Sequence, residues 1–290
     1  GDRSRDAGEA GISRLAPDIA LCNDGDGVPL AVVLAQEHGA GFEAPRAIGS
    51  RPVNLHLTGL AKLGADISIE HLHGAKAMGL ETVGFLMMSH MVGPNRLATE
   101  AEIMRDAGAD TVYFADSAGA LLPHQVTERV EAIRARLGDD MKIGMHAHNN
   151  LGSGVPNAIA AAAAGASILD GSCHGLGAGA GNAATEVLSA ALDRMGATTS
   201  VDTLELIDVA EDIVARICAG KLPKLDRGSL LLGYAGIYSS FLLHTRRAAE
   251  RYGVAEAEIL LELGRRRVVG GQEDMIIDVA IELSGVQLPD

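Results

Sequence analysis

The amino-acid sequence predicts a parallel (β/α)8 barrel followed by a helical C-terminal domain. From about residue 65, short apolar or β-branched runs alternate with longer stretches of helical periodicity, as they do in successive βαβ units. Several predicted strands end in polar residues, where a barrel places its site. Beyond Pro223 the alternation stops. A doubly wound parallel sheet also binds ligands at strand ends, so the pattern alone leaves that fold open.

The predicted elements form four successive strand–helix units. The strands are residues 82–88, 111–116, 142–148 and 166–171, and the helices between them are 96–107, 124–137 and 155–164, with apolar residues every three or four positions. Upstream, the runs 18–22, 30–34 and 53–57 are candidate strands joined by connections rich in Gly and Pro. This upstream part is less periodic than the rest.

The chain divides near Pro223, after a predicted helix at 202–219. We expect residues 1–222 to form the barrel, with 1–64 atypical, and residues 223–290 to form a helical C-terminal domain. Nearly half of the 290 residues are hydrophobic, which is enough for a full-sized core.

The bulk composition excludes several classes of function. A formal net charge of -14 at pH 7 argues against nucleic-acid binding, which needs clustered Lys and Arg. Cys22, Cys173 and Cys218 are few and far apart, which indicates a reducing compartment. No apolar run approaches the roughly 20 residues that cross a bilayer, and the charged start resembles no secretory signal. A soluble cytoplasmic protein is expected.

Two histidines give the strongest local signal. His146 and His148 lie at the end of a predicted strand, where residues i and i+2 project from one face about 7 Å apart along the chain. Two imidazoles with an added carboxylate suit a divalent ion that keeps open positions for substrate. The alternative is two polar residues that merely end a strand.

Three further segments carry weaker signals. Ser117 follows Asp116 at a strand end and could hold a substrate carboxylate, although a helix N-cap explains it equally well. Residues 175–182 have the wrong glycine spacing for a dinucleotide loop, so a tight turn close to a ligand or strand is favoured. The segment 233–241 contains Tyr234 and Tyr238, and a tyrosine there can donate to an oxyanion or simply pack.

Taken together, these segments resemble the 4-hydroxy-2-oxovalerate aldolase family. The resemblance rests on ETVGFLMMSHM, FADSAGA, IGMHAHNNLGSGVPNAIAAAAAGA, DGSCHGLGAGAGNAATEV, LGYAGIYSSFLLH and RRRVVGGQEDMIIDVA, from about Ala65 to about Leu283. It implies a metal-dependent barrel that cleaves 4-hydroxy-2-oxopentanoate to pyruvate and acetaldehyde during catabolism of aromatic compounds. The implied cofactor is a divalent ion, typically Mn2+. The implied partner is an acylating acetaldehyde dehydrogenase, which the C-terminal domain at 223–290 would contact.

The resemblance also implies roles for individual residues. His146 and His148 correspond to metal ligands, and Ser117 corresponds to a substrate contact. Tyr238, rather than Tyr234, corresponds to the tyrosine that approaches the substrate, so Tyr238 is the expected catalytic residue. Ser117, His146 and Tyr238 are then the expected substrate-binding set.

The first quarter of the chain departs from this family. Its members begin with a strand carrying T-L-R-D-G-S-H, which supplies the third metal ligand, an arginine and the catalytic histidine. Here Arg5-Asp6 is followed by Ala7-Gly8 without a preceding apolar strand. Either the upstream part is truncated or altered, or another carboxylate completes the site. The alternative functions are a catalytically impaired barrel subunit that binds the dehydrogenase, and a related lyase or acyl-condensing enzyme.

Overall fold

Five parallel strands form one sheet in the computed structural model, which describes residues 20–23, 66–199 and 201–285. The strands are β1 (Ala20–Asn23), β2 (Val83–Leu86), β3 (Thr111–Asp116), β4 (Lys142–Ala147) and β5 (Ile168–Gly171). The four strands predicted from residue 82 onward are confirmed, β3 with its predicted bounds and the other three shorter than predicted. Strand β1 overlaps the predicted run 18–22. The candidate strands 30–34 and 53–57 lie outside the described residues.

The order of the strands favours a barrel over a doubly wound sheet. Neighbouring strands follow the order β1-β5-β4-β3-β2, and every pair is parallel. In a doubly wound sheet the order reverses at a switch point. Here β2 to β5 advance in one direction, while the first strand lies beside the last, as strands do when a sheet closes on itself.

Helices cover the outer face of the sheet. They are α1 (Asp66–Ala77), α2 (Pro94–Asp106), α3 (Pro123–Leu137), α4 (Gly154–Ala163) and α5 (Thr185–Arg194). Both α2 and α3 begin with a proline, whose fixed φ suits the first helical position. Alternate strand residues, among them Val112, Phe114, Ile143 and Met145, are fully buried against these helices. The remaining strand positions therefore face the barrel interior.

The C-terminal part of the described chain is helical. Helix α6 (Thr203–Val209) continues through a π turn (Ala210–Val214) and a last turn (Ala215–Ile217), and is followed by α7 (Arg227–Ala235), α8 (Phe241–Tyr252), α9 (Glu256–Arg265) and α10 (Asp274–Ser284). Helices α7 to α10 share an apolar cluster that includes Leu232, Phe241, Ile259 and Ile276. The domain boundary near Pro223 stays a prediction. None of the helices in the described ranges is long and apolar enough to cross a membrane.

The helical tail packs onto the segment that follows β2. His90 Nε2 donates to Gly236 O at 3.1 Å, since the carbonyl oxygen can only accept. Arg267 donates to Met91 O at 2.7 Å. The tail is therefore attached to the same end of the sheet that carries the predicted site.

Gly144 in β4 has no room for a side chain, because the Tyr113 ring of the neighbouring strand occupies the space where a Cβ would stand. Gly144→Ala is expected to displace that fully buried ring and to lower the free energy of unfolding by about 1–3 kcal/mol. Urea denaturation followed by circular dichroism measures this change.

Gly74→Ala is the matched control for this prediction. Gly74 lies inside α1, and no atom stands within 4 Å of the place that a Cβ would take, so the same substitution should stabilise the helix by about 0.5–1 kcal/mol. Opposite expectations at the two glycines separate steric overlap from backbone entropy. A neutral Gly144→Ala would mean that the Tyr113 ring is not tightly packed there.

Candidate active site

The predicted site residues meet at the carboxyl ends of β3, β4 and β5. His146 pairs in register with Ala115 on one side and with Asp170 on the other. His148 follows β4 and forms an isolated bridge with Asn182, the last residue of the glycine-rich segment. The structure thus brings the two histidines next to one carboxylate and one backbone turn.

His146 is oriented by a carboxylate. Its Nδ1 lies 3.1 Å from Asp170 Oδ2, and both side chains are buried. A carboxylate oxygen accepts, so His146 donates from Nδ1 to Asp170. Metal-ligating histidines are commonly held in this way, by a carboxylate on the opposite ring nitrogen.

His148 is a neutral imidazole. Burial, with a smaller contribution from the nearby His146, lowers its pKa to about 3, while hydrogen bonding to the backbone at Ala178 and Gly181 opposes the shift. The His146 and His148 rings lie 5.0 Å apart, edge to face. Metals bind the neutral form of histidine, so the His148 ring is in a state that suits coordination.

The donor atoms that are present fit part of a metal site. His148 Nδ1 and Asp170 Oδ1 are buried without a hydrogen-bond partner in the described part of the chain. Within those same residues, no group of three His, Cys, Asp or Glu side chains is placed to hold an ion. The two imidazoles are donors that suit a divalent cation. A third protein ligand is not found in the described ranges.

Ser117 is buried, and it is hydrogen-bonded to the segment after β2 instead of capping a helix. Its Oγ accepts a hydrogen bond from Met88 N at 2.9 Å. Helix α3 begins at Pro123 with Leu122 as its N-cap, so the N-cap interpretation of Ser117 is wrong. Met88 has a left-handed φ of 56°, which is uncommon for a residue with a side chain and is typical of functional loops.

Asp116 faces away from the histidine pair. Its two oxygens accept from Ala120 N at 3.0 Å and Leu121 N at 2.9 Å, and Oδ1 lies 3.8 Å from His90 Nδ1. Burial raises the pKa of Asp116 and lowers the pKa of His90. The strand alternation explains this arrangement, since Asp116 has the parity of the helix-facing Phe114.

The glycine-rich segment forms the tight turn that its sequence indicates. A Cβ at Gly181, whose φ is +85°, would overlap Gly175 O. Asn182 Nδ2 donates to Leu176 O at 3.0 Å and closes the turn. His148 makes hydrogen bonds to the backbone of this turn at Ala178 and Gly181.

The two tyrosines of the tail differ in their surroundings. Tyr234 is 76% exposed, whereas Tyr238 is half-buried with its ring edge to face with Phe241 at 6.0 Å. A Cβ at Gly270 would lie 3.0 Å from the Tyr238 ring. Tyr238 directly precedes Ser239, whose amide donates to Ser117 O at 3.0 Å. Tyr238 is therefore the tyrosine that lies beside the strand ends.

Sequence reasoning did not assign a role to Asp170, His90 or Asn150. Asp170 was visible as a polar strand end, but only the register with His146 shows which residue it contacts. His90 and Asn150 make contacts over long sequence separations, 146 residues from His90 to Gly236 and 89 residues from Asn150 to Ser239. No local pattern predicts such contacts.

Two family models match the chain. The HMGL-like model matches residues 61–213, and the DmpG-like communication domain matches residues 223–285. The matched ranges correspond to the parallel sheet with its helices and to the helical tail, respectively.

Several curated relatives share more than half of their aligned residues with this chain. A protein named 4-hydroxy-2-oxovalerate aldolase from Geobacillus thermodenitrificans is 56% identical over 221 residues, covering 76% of this chain and 64% of the relative. One of the same name from Roseiflexus sp. is 58% identical over 219 residues, with the same coverage. The chain thus spans about 64% of the length of these relatives.

A third relative aligns over a longer range. 4-Hydroxy-2-oxovalerate aldolase 1 from Rhodococcus erythropolis is 48% identical over 259 residues, which cover 89% of this chain and 71% of the relative. That alignment is longer than the stretch from Asp66 to the end of the chain. The sequence similarity to this relative therefore extends upstream of Asp66.

Solved structures show the same fold. The HMG-CoA lyase of Bacillus subtilis aligns with a TM-score of 0.50 and 27% identity, covering 55% of this chain and 58% of that one. The carboxyl transferase domain of Rhizobium etli pyruvate carboxylase aligns with a TM-score of 0.61 over 75% of this chain and 40% of that one, at 15% identity. The second likeness bears on the fold alone.

Proposed function

The chain belongs to the HMGL-like barrel family, in the group of the 4-hydroxy-2-oxovalerate aldolases, and on this premise we propose that it cleaves 4-hydroxy-2-oxopentanoate to pyruvate and acetaldehyde. The observation that carries the proposal is the pair of imidazoles at the end of β4, with His146 held by Asp170 at 3.1 Å. A 2-oxo acid offers a carboxylate and a keto oxygen that can chelate an ion at such a pair.

His146 and His148 would hold a divalent cation, which we propose to be Mn2+. When bound, such an ion polarises the 2-oxo group as a Lewis acid. Asp170 keeps the His146 ring in one orientation and one tautomer, because Nδ1 is committed to the carboxylate.

Ser117 would bind the substrate carboxylate. Its oxygen already accepts the Met88 amide hydrogen at 2.9 Å, so its own hydroxyl hydrogen is available to donate. A hydrogen bond from a neutral hydroxyl to a carboxylate is charge-assisted and is stronger than an ordinary one. This contact would fix the oxo acid against the end of β3.

The cleavage step requires one proton to leave and one to arrive. The C4 hydroxyl loses its proton to a base, the C3–C4 bond breaks, and C4 becomes the carbonyl carbon of acetaldehyde. The electron pair of that bond moves to C3, which a proton then reaches to give pyruvate. We propose that the Tyr238 hydroxyl contacts the C4 oxygen and orients it, and we assign the base to no residue of the described ranges.

Pyruvate release from 4-hydroxy-2-oxopentanoate tests the proposal. With added Mn2+, the full chain is expected to release pyruvate and acetaldehyde in equal amounts, as measured with lactate dehydrogenase and alcohol dehydrogenase in separate assays. A 2-oxo acid without the C4 hydroxyl serves as the substrate control, since it cannot undergo this cleavage. Release no faster than in a reaction without the protein would overturn the aldolase assignment.

The tail would bind an acylating acetaldehyde dehydrogenase, and the match of residues 223–285 to a communication domain supports this part of the proposal. The proposed setting is the cytoplasmic breakdown of aromatic compounds. Co-purification of the dehydrogenase without pyruvate release would favour the second candidate function, a barrel subunit that binds this partner but lacks catalysis. That candidate is favoured by one observation, the missing third ligand within the described ranges.

A further inference from the structure

Asn150 connects three segments of the chain at the candidate site. Its Nδ2 donates to Ala118 O and to Ser239 Oγ, each at 2.9 Å. Its Oδ1 accepts from Ala180 N at 2.8 Å. These partners belong to the end of β3, to the tail and to the glycine-rich turn, and Asn150 itself follows β4.

These three hydrogen bonds use both N–H donors and the carbonyl acceptor of the Asn150 carboxamide. Asparagine supplies two donor hydrogens and one acceptor oxygen from one short side chain. Aspartate would lose both donors, and alanine would lose all three bonds. Asn150 is fully buried, where an unpaired polar group destabilises the folded structure.

The surrounding backbone is shaped to admit this side chain. A Cβ at Gly119 would lie 2.6 Å from Asn150 N, and a Cβ at Gly233 would lie 3.1 Å from Asn150 Cβ. A Cβ at Gly179 would overlap Asn150 Oδ1. Glycine in all three segments therefore allows them to approach Asn150 closely.

Each segment carries one group of the proposed site. The end of β3 carries Ser117, and the glycine-rich turn lies against His148. The tail carries Tyr238, whose neighbour Ser239 is fully buried and donates from Oγ to Ser117 O at 2.8 Å. Asn150 and Ser239 together form a hydrogen-bonded chain from the barrel to the residue next to Tyr238.

We propose that Asn150 is the positioning residue that holds the tail-borne Tyr238 in register with the barrel-borne Ser117 and histidine pair. This inference rests on the proposed function for its catalytic consequence. Its structural basis, the bond from Asn150 to Ser239 beside Tyr238, does not depend on the proposed function. A misplacement of about 1 Å at a reacting group can lower a rate about 100-fold, so loss of this link should act on the rate.

Asn150→Ala in the full chain tests the proposal, with Asn157→Ala as the matched control. Asn157 is also fully buried and donates from Nδ2 to a backbone carbonyl, Leu121 O, at 2.8 Å, but this bond reaches neither the tail nor the glycine-rich turn. We expect kcat for 4-hydroxy-2-oxopentanoate to fall about 10- to 100-fold in Asn150→Ala, with KM changed less than kcat. Asn157→Ala should leave both constants near those of the unaltered protein.

A spectroscopic readout separates positioning from general damage. The chain has four tyrosines and no tryptophan, so 3-fluorotyrosine labelling gives four 19F NMR signals, with Tyr238 assigned through Tyr238→Phe. In Asn150→Ala the Tyr238 signal should shift or broaden while those of Tyr113 and Tyr252 stay in place. In Asn157→Ala all four should stay.

A double-mutant cycle and a second variant complete the test. If Asn150 and Ser239 act as one unit, Asn150→Ala with Ser239→Ala should lower kcat no further than Asn150→Ala alone. Should Asn150→Ala fail to fold, Ser239→Ala carries the same expectation for the Tyr238 signal.

An unmoved Tyr238 signal with unchanged kcat would overturn the proposal, as would equal effects in Asn157→Ala. If the unaltered protein releases no pyruvate, the proposed function fails, and the NMR comparison still decides whether Asn150 fixes Tyr238.

Discussion

Replacing His146 or His148 with alanine is expected to weaken Mn2+ binding by at least about 100-fold, because each change removes a proposed ligand of the ion, and even indirect partners of ligands account for 10- to 100-fold. Pyruvate release should fall about 1000-fold, since Lewis-acid stabilisation contributes several kcal/mol and about 1.4 kcal/mol corresponds to a factor of ten. Titration of free Mn2+ by electron paramagnetic resonance measures the first effect, and the coupled lactate dehydrogenase assay measures the second.

His124→Ala is the control for both histidine variants. His124 lies exposed in the first turn of α3, so its loss should leave Mn2+ affinity and pyruvate release unchanged. Circular dichroism of all three variants shows whether they are folded. Full Mn2+ affinity in both His146→Ala and His148→Ala would contradict the assignment of the pair as ligands, whatever happened to the rate.

Most of the fold downstream of residue 65 follows from local patterns in the sequence. The alternation of buried strands with 3.6-residue periodicity predicted β2 to β5 and α2 to α4 within a few residues, because both faces of a parallel sheet are covered and its strands are apolar. The choice between a barrel and a doubly wound sheet, in contrast, did not follow from local patterns. It depended on β1 lying beside β5, where Ala20 pairs with Ile168, and no local pattern contains a contact between such distant parts of the chain.

The candidate site was predictable to a similar extent. The period of two in a strand placed His146 and His148 on one face, and it also distinguishes Asp170 from Asp116. Asp170 pairs with the inward-facing His146, whereas Asp116 accepts from backbone amides of the turn before α3. The two-residue period of a strand does not predict hydrogen bonds between distant segments, such as those of Asn150 and Arg129.

Arg129→Met is expected to lower the free energy of unfolding by about 3 kcal/mol, because it breaks a buried, charge-bearing network. Arg129 is 5% exposed and donates to Ser89 O at 3.3 Å, Gln125 O at 3.0 Å and Val92 O at 2.7 Å. Burial lowers the pKa of Arg129, and the nearby Asp116 opposes that shift. Methionine fills similar volume but donates to none of these carbonyls, and it leaves Asp116 without its neighbouring positive charge.

Arg136→Met, further along α3, is the matched control. Arg136 pairs with Glu102 at 2.6 Å, but the two side chains are 43% and 31% exposed, and such surface pairs contribute about 0–1 kcal/mol. Urea denaturation of both variants gives the comparison. If both variants lost the same free energy of unfolding, the buried bonds of the Arg129 guanidinium would contribute no more to stability than the exposed pair of Arg136.

The effect of Arg129→Met should also reach the site, because Arg129 holds the segment that orders Ser117. That segment contains Met88, whose left-handed backbone is unfavourable by itself, so tertiary contacts must maintain it. Two of the three Arg129 bonds go to residues 89 and 92 of this segment, and the Met88 amide in turn donates to Ser117 Oγ. When these bonds are lost, the Ser117 hydroxyl loses a fixed partner, and KM for 4-hydroxy-2-oxopentanoate should rise more than kcat falls. A variant that is destabilised but keeps its KM would show that this segment is held by its other contacts, chiefly Ser89 Oγ to Ala115 O at 2.7 Å.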